Sequence, residues 1–157
     1  MTGTRIIIAR HGNTFGPGDT PTRVGARTDL GLVDSGRRQG EALGQHLVRE
    51  DMKPAITYSA VLKRTRETAE LALAAANLPL QVLTETMFNE IDYGPDENKT
   101  EAQVVGRIGG KAIDDWNKYA TVPDGWSVDA AEIKSNWHNF SERCLRIHCG
   151  ETVLVVT

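Results

Sequence analysis

Along the chain, short apolar runs alternate with longer amphipathic stretches. Residues 4–9 (Thr-Arg-Ile-Ile-Ile-Ala) form a β-branched run with almost no polar alternation, which predicts a strand buried on both faces of a parallel sheet. Ala55–Tyr58 predicts a second strand, the stretch near Leu80–Leu83 a third, and Val153-Leu154-Val155-Val156 a fourth of the fully buried kind. Helical spacing fills the intervals. Asp34 or Ser35 is placed to cap a helix running to about Glu50, with Leu43 and Leu47 on one face and Pro54 marking the break after it. Ser59 is placed to cap a helix reaching Asn77, with Val61, Thr65, Ala69, Ala72 and Ala76 as its inner stripe. Thr100 and Gln103 have capping-box spacing before a helix that turns Val105, Ile108, Ala112, Trp116 and Tyr119 inward. Ile133, Trp137, Phe140, Cys144 and Ile147 mark a last helix that Gly150 can end. Strands alternating with helices predict an α/β fold, a three-layer α/β/α sandwich with a mostly parallel sheet.

The 157 residues suit one domain, 1–157, and the composition suits a packed globule: 39% hydrophobic, 25% charged. The longest early apolar run is too short for a secretory leader, and no stretch approaches the length of a membrane span, so the expected location is cytoplasmic with no membrane partner. Cys144 and Cys149 are poorly spaced for an internal disulfide, which suits a reducing compartment. Charge is uneven. Residues 1–66 carry a net +5 and the remainder −8, which argues against a nucleic-acid binder and permits a small anionic ligand near the N-terminal half.

The segment Arg10–Gly31 holds five Gly and two Pro, the composition of a long ordered loop, and such loops are usually functional. In open α/β sheets ligands bind outside the carboxyl ends of the strands, where the first strand delivers Arg10-His11-Gly12-Asn13-Thr14 and the second delivers Ser59–Arg66. Arg10 and Arg64 can surround a dianion with two guanidinium forks. Between them, His11 can attack phosphorus with one ring nitrogen while a hydrogen bond holds the other, and Gly12 permits a close backbone approach. A phosphohistidine is the expected product. Cys144 and His148 share a helix face, but one falls on the apolar stripe and the other suits the helix end, so no metal site is read there.

The boxes Arg10-His11-Gly12-Asn13-Thr14, Ser59-Ala60-Val61-Leu62-Lys63-Arg64-Thr65 and Phe88-Asn89-Glu90-Ile91-Asp92-Tyr93-Gly94 resemble the histidine phosphatase superfamily, in its phosphoglycerate mutase-like branch. The resemblance runs from residue 4 to the C-terminus. It implies that His11 is the nucleophile, that Arg10 and Arg64 bind the phosphoryl oxygens, that Asn13 and Thr14 line the site, and that Glu90 donates the proton to the leaving group. Fixed cations can do what a metal would do at a phosphoryl transition state, so neither metal nor cofactor is expected. An acid in Glu90's role needs a raised pKa, which a partly desolvated position among Phe88, Ile91 and Tyr93 would supply, with Asp92 in reserve.

Two departures from the family pattern shape the expected activity. The family's second pocket histidine follows the last buried strand, whereas this chain ends at Thr157, so the domain is read as truncated at its C-terminus. Neither His138 nor His148 can replace that histidine, because both precede the strand. Mutases of the family resemble one another in an Asn-rich stretch after the first box and an Arg pair beyond the acid; here Gly16-Pro17-Gly18 stands in the first place and residues 95–135 contain no Arg-Arg. A phosphatase acting on a small phosphomonoester is therefore expected over a mutase, with a non-catalytic phosphate-binding protein as the reading from another class. Arg23, Gly25 and Arg27 are secondary candidates for substrate contact. The last strand is expected to lack cover on one face, which implies self-association or low stability.

Overall fold

The computed structural model describes residues 3–79 and 81–157. Among the described residues four strands, β1 (Arg5–Ala9), β2 (Ile56–Ser59), β3 (Val82–Thr84) and β4 (Thr152–Val156), form one sheet in the order β1-β4-β2-β3, parallel throughout. Helices α1 (Asp34–Arg49) and α2 (Lys63–Ala75) cover one face, where Leu47 and Ala69 pack on Leu154 and Val156. On the opposite face α5 (Ala130–Ile147) sets Phe140 and Cys144 against Val153, Val155, Tyr58 and Phe88. The α/β/α sandwich is as the alternating pattern predicts. Leu80, part of the predicted third strand, lies outside the described residues.

Burial across the sheet departs from expectation, because strand order governs it. The run at residues 4–9 becomes an edge strand of this sheet, leaving Ile8 57% exposed, although the run predicts burial on both faces. Val153–Val156 of β4 are fully buried because β1 and β2 flank them and helices cover both faces. The bare face expected at β4 does not exist, and with it goes the stated ground for self-association there.

Helix boundaries correct the reading further. Val33 is the N-cap of α1 and Leu62 that of α2, neither with a side-chain cap bond. Asp34 already lies inside α1, and Ser59 ends β2 with its hydroxyl turned to the Ala60 carbonyl at 2.8 Å. The capping box at Thr100 and Gln103 forms as predicted, but the helix it opens stops at Ile108. Gly109, at φ 83°, breaks the run into α3 (Glu101–Ile108) and α4 (Gly110–Tyr119). The break shifts the buried positions to Val104 and Ile113, which pack with Trp126, while Val105 and Tyr119 face solvent. Val61, Ile133 and Ile147 likewise lie largely outside the core. Among the described residues no helix is long and apolar enough to cross a membrane.

On α1, Gly36, Gly40 and Gly44 recur every fourth residue and form a buried face. A Cβ on Gly44 would stand 2.1 Å from the Ala72 carbonyl oxygen of α2, so only glycine lets the two helices lie this close.

Candidate active site

The carboxyl ends of β1 and β4 build the site's floor. The His11 amide donates to the Thr157 carbonyl at 2.8 Å and the Thr157 amide to Ala9 at 3.0 Å, carrying the ladder one step beyond each strand. The Gly12 amide then donates to the Thr68 hydroxyl at 3.0 Å, and that hydroxyl donates to the Arg64 carbonyl at 2.7 Å. A Cβ on Gly12 would lie 2.3 Å from the Gly36 carbonyl oxygen, so the box after β1 sits directly on the first turn of α1. The Asn13 amide donates to Gln39 Oε1 at 2.8 Å, and the Asn13 carbonyl accepts from Val33 at 3.1 Å. The loop is thus fixed largely through its backbone, and the Asn13 side-chain amide also donates to the Ser35 hydroxyl at 3.4 Å.

His11 Nδ1 lies 2.7 Å from the Gly12 carbonyl oxygen. A carbonyl only accepts, so Nδ1 carries the proton and Nε2 keeps its lone pair. Burial, reinforced by the Arg64 and Arg10 cations, holds the His11 pKa below its ordinary value against the opposing pull of the Gly12 carbonyl and Glu90. The ring is accordingly neutral at neutral pH.

Arg64, at the start of α2, is 1% exposed. Its guanidinium donates to the Thr28 carbonyl at 2.8 Å and the Gly25 carbonyl at 3.3 Å, while its buried Nε finds no acceptor among the described residues. Burial lowers its pKa, with Glu90 and Asp29 opposing. Carbonyls orient the fork without cancelling its charge. Arg10, exposed at the mouth, likewise has no ion pair among the described residues.

A cavity of about 840 Å³ is lined by Arg10, His11, Asn13, Thr14, Arg23 and Glu90, among others. A smaller one of about 360 Å³ brings Arg10, His11, Arg64, Glu90 and Thr157 together. Gly25 and Arg27 line neither. Gly25 serves by backbone, and Arg27 points to Asp92 at 3.0 Å and the Gly94 carbonyl at 2.7 Å. Asp92, engaged with Arg27 and with the Gly94 amide, also lies outside both cavities. Glu90 is exposed and accepts from the Ile91 amide at 3.0 Å, so the desolvated setting expected for it is absent. Thr157 helps to place it by donating its hydroxyl to the Phe88 carbonyl at 2.7 Å.

The sequence reading missed two residues. Glu97 accepts from the Gly25 amide at 3.1 Å, the Tyr93 amide at 3.2 Å and the Thr28 hydroxyl, tying the carbonyls that hold Arg64 to the turn after Glu90. Thr68 joins the first box to the second as described above. Neither has a local sequence signal, since each acts across the fold.

Residues 6–157 match the profile of the histidine phosphatase superfamily (branch 1), and the chain belongs to that superfamily. It is 25% identical to a 2,3-bisphosphoglycerate-dependent phosphoglycerate mutase of Corynebacterium glutamicum, over 99% of this chain and 63% of that protein. It is 29% identical to a protein of the same name from an Arthrobacter species, over 96% of this chain and 62% of that one. It thus spans less than two thirds of these curated relatives. The solved structure of Bacillus stearothermophilus YhfR aligns with a TM-score of 0.80 at 25% identity, covering 98% of this chain and 73% of that one.

Proposed function

We propose that the protein is a phosphatase that forms a phosphohistidine on His11 and hydrolyses a small phosphomonoester. The observation that carries this reading is the His11 ring: Nδ1–H is tied to Gly12 at 2.7 Å, which leaves Nε2 as a free base in a cavity shared with Arg10 and Glu90. In the first step Nε2 bonds to phosphorus as the ester P–O bond breaks, and the departing alkoxide takes a proton from the Glu90 carboxyl. Water then attacks the phosphohistidine, gives its proton to the Glu90 carboxylate, and orthophosphate leaves. Arg10 and Arg64 stabilise charge spread over the equatorial oxygens, and a bound oxygen would give the buried Arg64 Nε–H its acceptor. Asn13 and Thr14 flank the same oxygens.

A mutase reading differs only in the acceptor, a second hydroxyl in place of water, and the names of the curated relatives favour it. The Gly16-Pro17-Gly18 stretch and the lack of an Arg pair in residues 95–135 favour hydrolysis. Incubation with a phosphomonoester labelled at phosphorus tests both. Acid-labile label is expected on the wild type and not on His11→Ala, with labelled orthophosphate as the product. Label retained by His11→Ala would remove the nucleophile assignment, and label delivered to an added alcohol in preference to water would make the protein a transferase.

A further inference from the structure

The larger cavity has a second charged wall, built by Arg23, Tyr93 and Glu101, none of which lines the smaller cavity that holds Arg64. Residue 23 is pinned through its backbone: its amide donates to the Lys99 carbonyl at 2.8 Å and its carbonyl accepts from the Asn98 amide at 2.8 Å. Its guanidinium lies over the rings of Tyr93, at 5.3 Å, and Trp126, at 5.0 Å. Nη2 donates to Glu101 Oε2 at 2.6 Å, and the buried Nε finds no acceptor among the described residues. Glu101, the first residue of α3, keeps its side chain 59% exposed.

Charge decides what this wall can hold. Among the described residues neither Arg10 nor Arg64 has a carboxylate bonded to it, and with Glu90 the one carboxylate side chain beside them in the smaller cavity, two cations face one anion at that end. Arg23 is different, because Glu101 neutralises it in place. A second anionic group on the substrate would meet no free cation here and would meet the Glu101 carboxylate instead. A hydroxyl group meets what it needs: the carboxylate accepts its proton, and the Tyr93 phenol, kept protonated by a pKa that burial pushes up to about 12, can donate to its oxygen.

We propose that the substrate's leaving group is a neutral polyol, of the glycerol or sugar class, whose hydroxyls are read by the Arg23–Glu101 pair, and that a leaving group bearing a carboxylate or a second phosphate is rejected there. This rests on the phosphatase reading of the same cavity and assigns its substrate class.

The test uses two probes that differ only in a CH2OH or a carboxylate, glycerol 3-phosphate and 3-phosphoglycerate, with orthophosphate as the reference for the phosphoryl end. Binding to the wild-type chain and to Glu101→Gln is measured by calorimetry. The wild type is expected to favour glycerol 3-phosphate by about tenfold or more. Glu101→Gln frees the Arg23 charge, and 3-phosphoglycerate is expected to gain about tenfold relative to glycerol 3-phosphate. Arg23→Gln, which leaves Glu101 unpaired, should move the ratio the opposite way. A wild type that binds orthophosphate but does not favour glycerol 3-phosphate would overturn the proposal, as would an unchanged ratio in Glu101→Gln. If orthophosphate binds none of the variants, the phosphatase reading fails and takes this inference with it.

Discussion

Arg64 and Arg23 are the same residue type in adjoining cavities, yet their partners give them different roles. Arg64 is held by two backbone carbonyls, which orient the guanidinium and leave its charge unpaired. Arg23 is held by a carboxylate and two aromatic rings, which leave it oriented and electrically neutralised. A phosphoryl group needs the first arrangement and a neutral hydroxyl the second. On the function proposed above, partners, more than residue identity, would divide the site into an anion-binding end and a hydrogen-bonding end. The regions behind them differ too: strand ends and α2 support the first, while the Val104–Ile113–Trp126 cluster supports the second.

Arg64→Met is expected to have the largest effect. Loss of a buried charge facing a bound dianion should weaken vanadate or orthophosphate binding by about 2–5 kcal/mol. The carbonyls of Gly25 and Thr28 lose their donors as well, so stability should fall alongside. Titration of vanadate into folded protein, with the fold checked by near-UV circular dichroism, reads the first effect separately. A change within error would mean that Arg64 does not face the ligand.

Asp96→Asn probes the other end. Asp96 is 1% exposed and accepts from Arg107 Nε at 2.7 Å, Arg107 Nη2 at 2.5 Å and Trp126 Nε1 at 2.7 Å. The Arg107 hydrogen bonds, more than any other factor, hold its carboxyl below the usual range. The stabilisation this represents is present above the ordinary carboxylate pKa and is lost as pH falls through the depressed one. Removing the charge should cost about 3 kcal/mol at neutral pH, read as a lower urea midpoint. Orthophosphate affinity should change far less, because Asp96 lines neither cavity. Equal losses in both would show that the two ends are one cooperative unit.

A smaller effect is expected from Thr68→Val, which keeps the side-chain shape and deletes the acceptor of the Gly12 amide. An unsatisfied buried amide of this kind costs about 1–2 kcal/mol. Amide exchange at Gly12 should quicken in the variant more than at Asn13, whose amide is held by Gln39. Equal protection before and after would remove Thr68 from the support of the loop.

These contrasts also mark what the sequence discloses. Arg10, His11 and Arg64, which the sequence offers at the end of one strand and at the start of the helix after another, line one cavity of the structure. The Thr100–Gln103 box is legible because both partners lie within one turn. Central and edge strands are not distinguishable by composition: residues 4–9 and Val153–Val156 look alike, and only the order of the sheet exposes Ile8 and buries β4. Ser59 and Asp34 have cap-forming side chains, but the chain enters each helix at a residue with none. After Thr100 the pattern turns Ile108 and Trp116 inward, as found, but Gly109 resets the helical phase, so Val104 and Ile113 are buried while Val105 and Tyr119 are exposed. Glu97, Thr68 and Glu101 gain their roles from contacts made across the fold.

The finest of the expected effects concerns protons at His11. Burial is the largest influence lowering its pKa, followed among the lowering influences by Arg64 and then Arg10, whereas the Gly12 carbonyl and Glu90 raise it. Below the ordinary histidine value of about 6.5 the unfolded chain therefore takes up a proton that the folded chain still refuses. Stability should fall as pH drops through that window, with no contribution from this group above it. His11→Gln should lose this part of the acid sensitivity, so the gap between its urea midpoints at pH 7 and pH 5 should be narrower than in the wild type. The same ordering fixes the sign of two further shifts in an NMR titration of the ring. Arg64→Met removes a lowering charge and should raise the His11 midpoint; Glu90→Gln removes a raising charge and should lower it. A midpoint at or above the ordinary value in the wild type would show that His11 is not enclosed among these cations. A Glu90→Gln shift in the upward direction would show that its carboxylate does not stand on the same side of the ring, and with that the assignment of Glu90 as proton donor would fall.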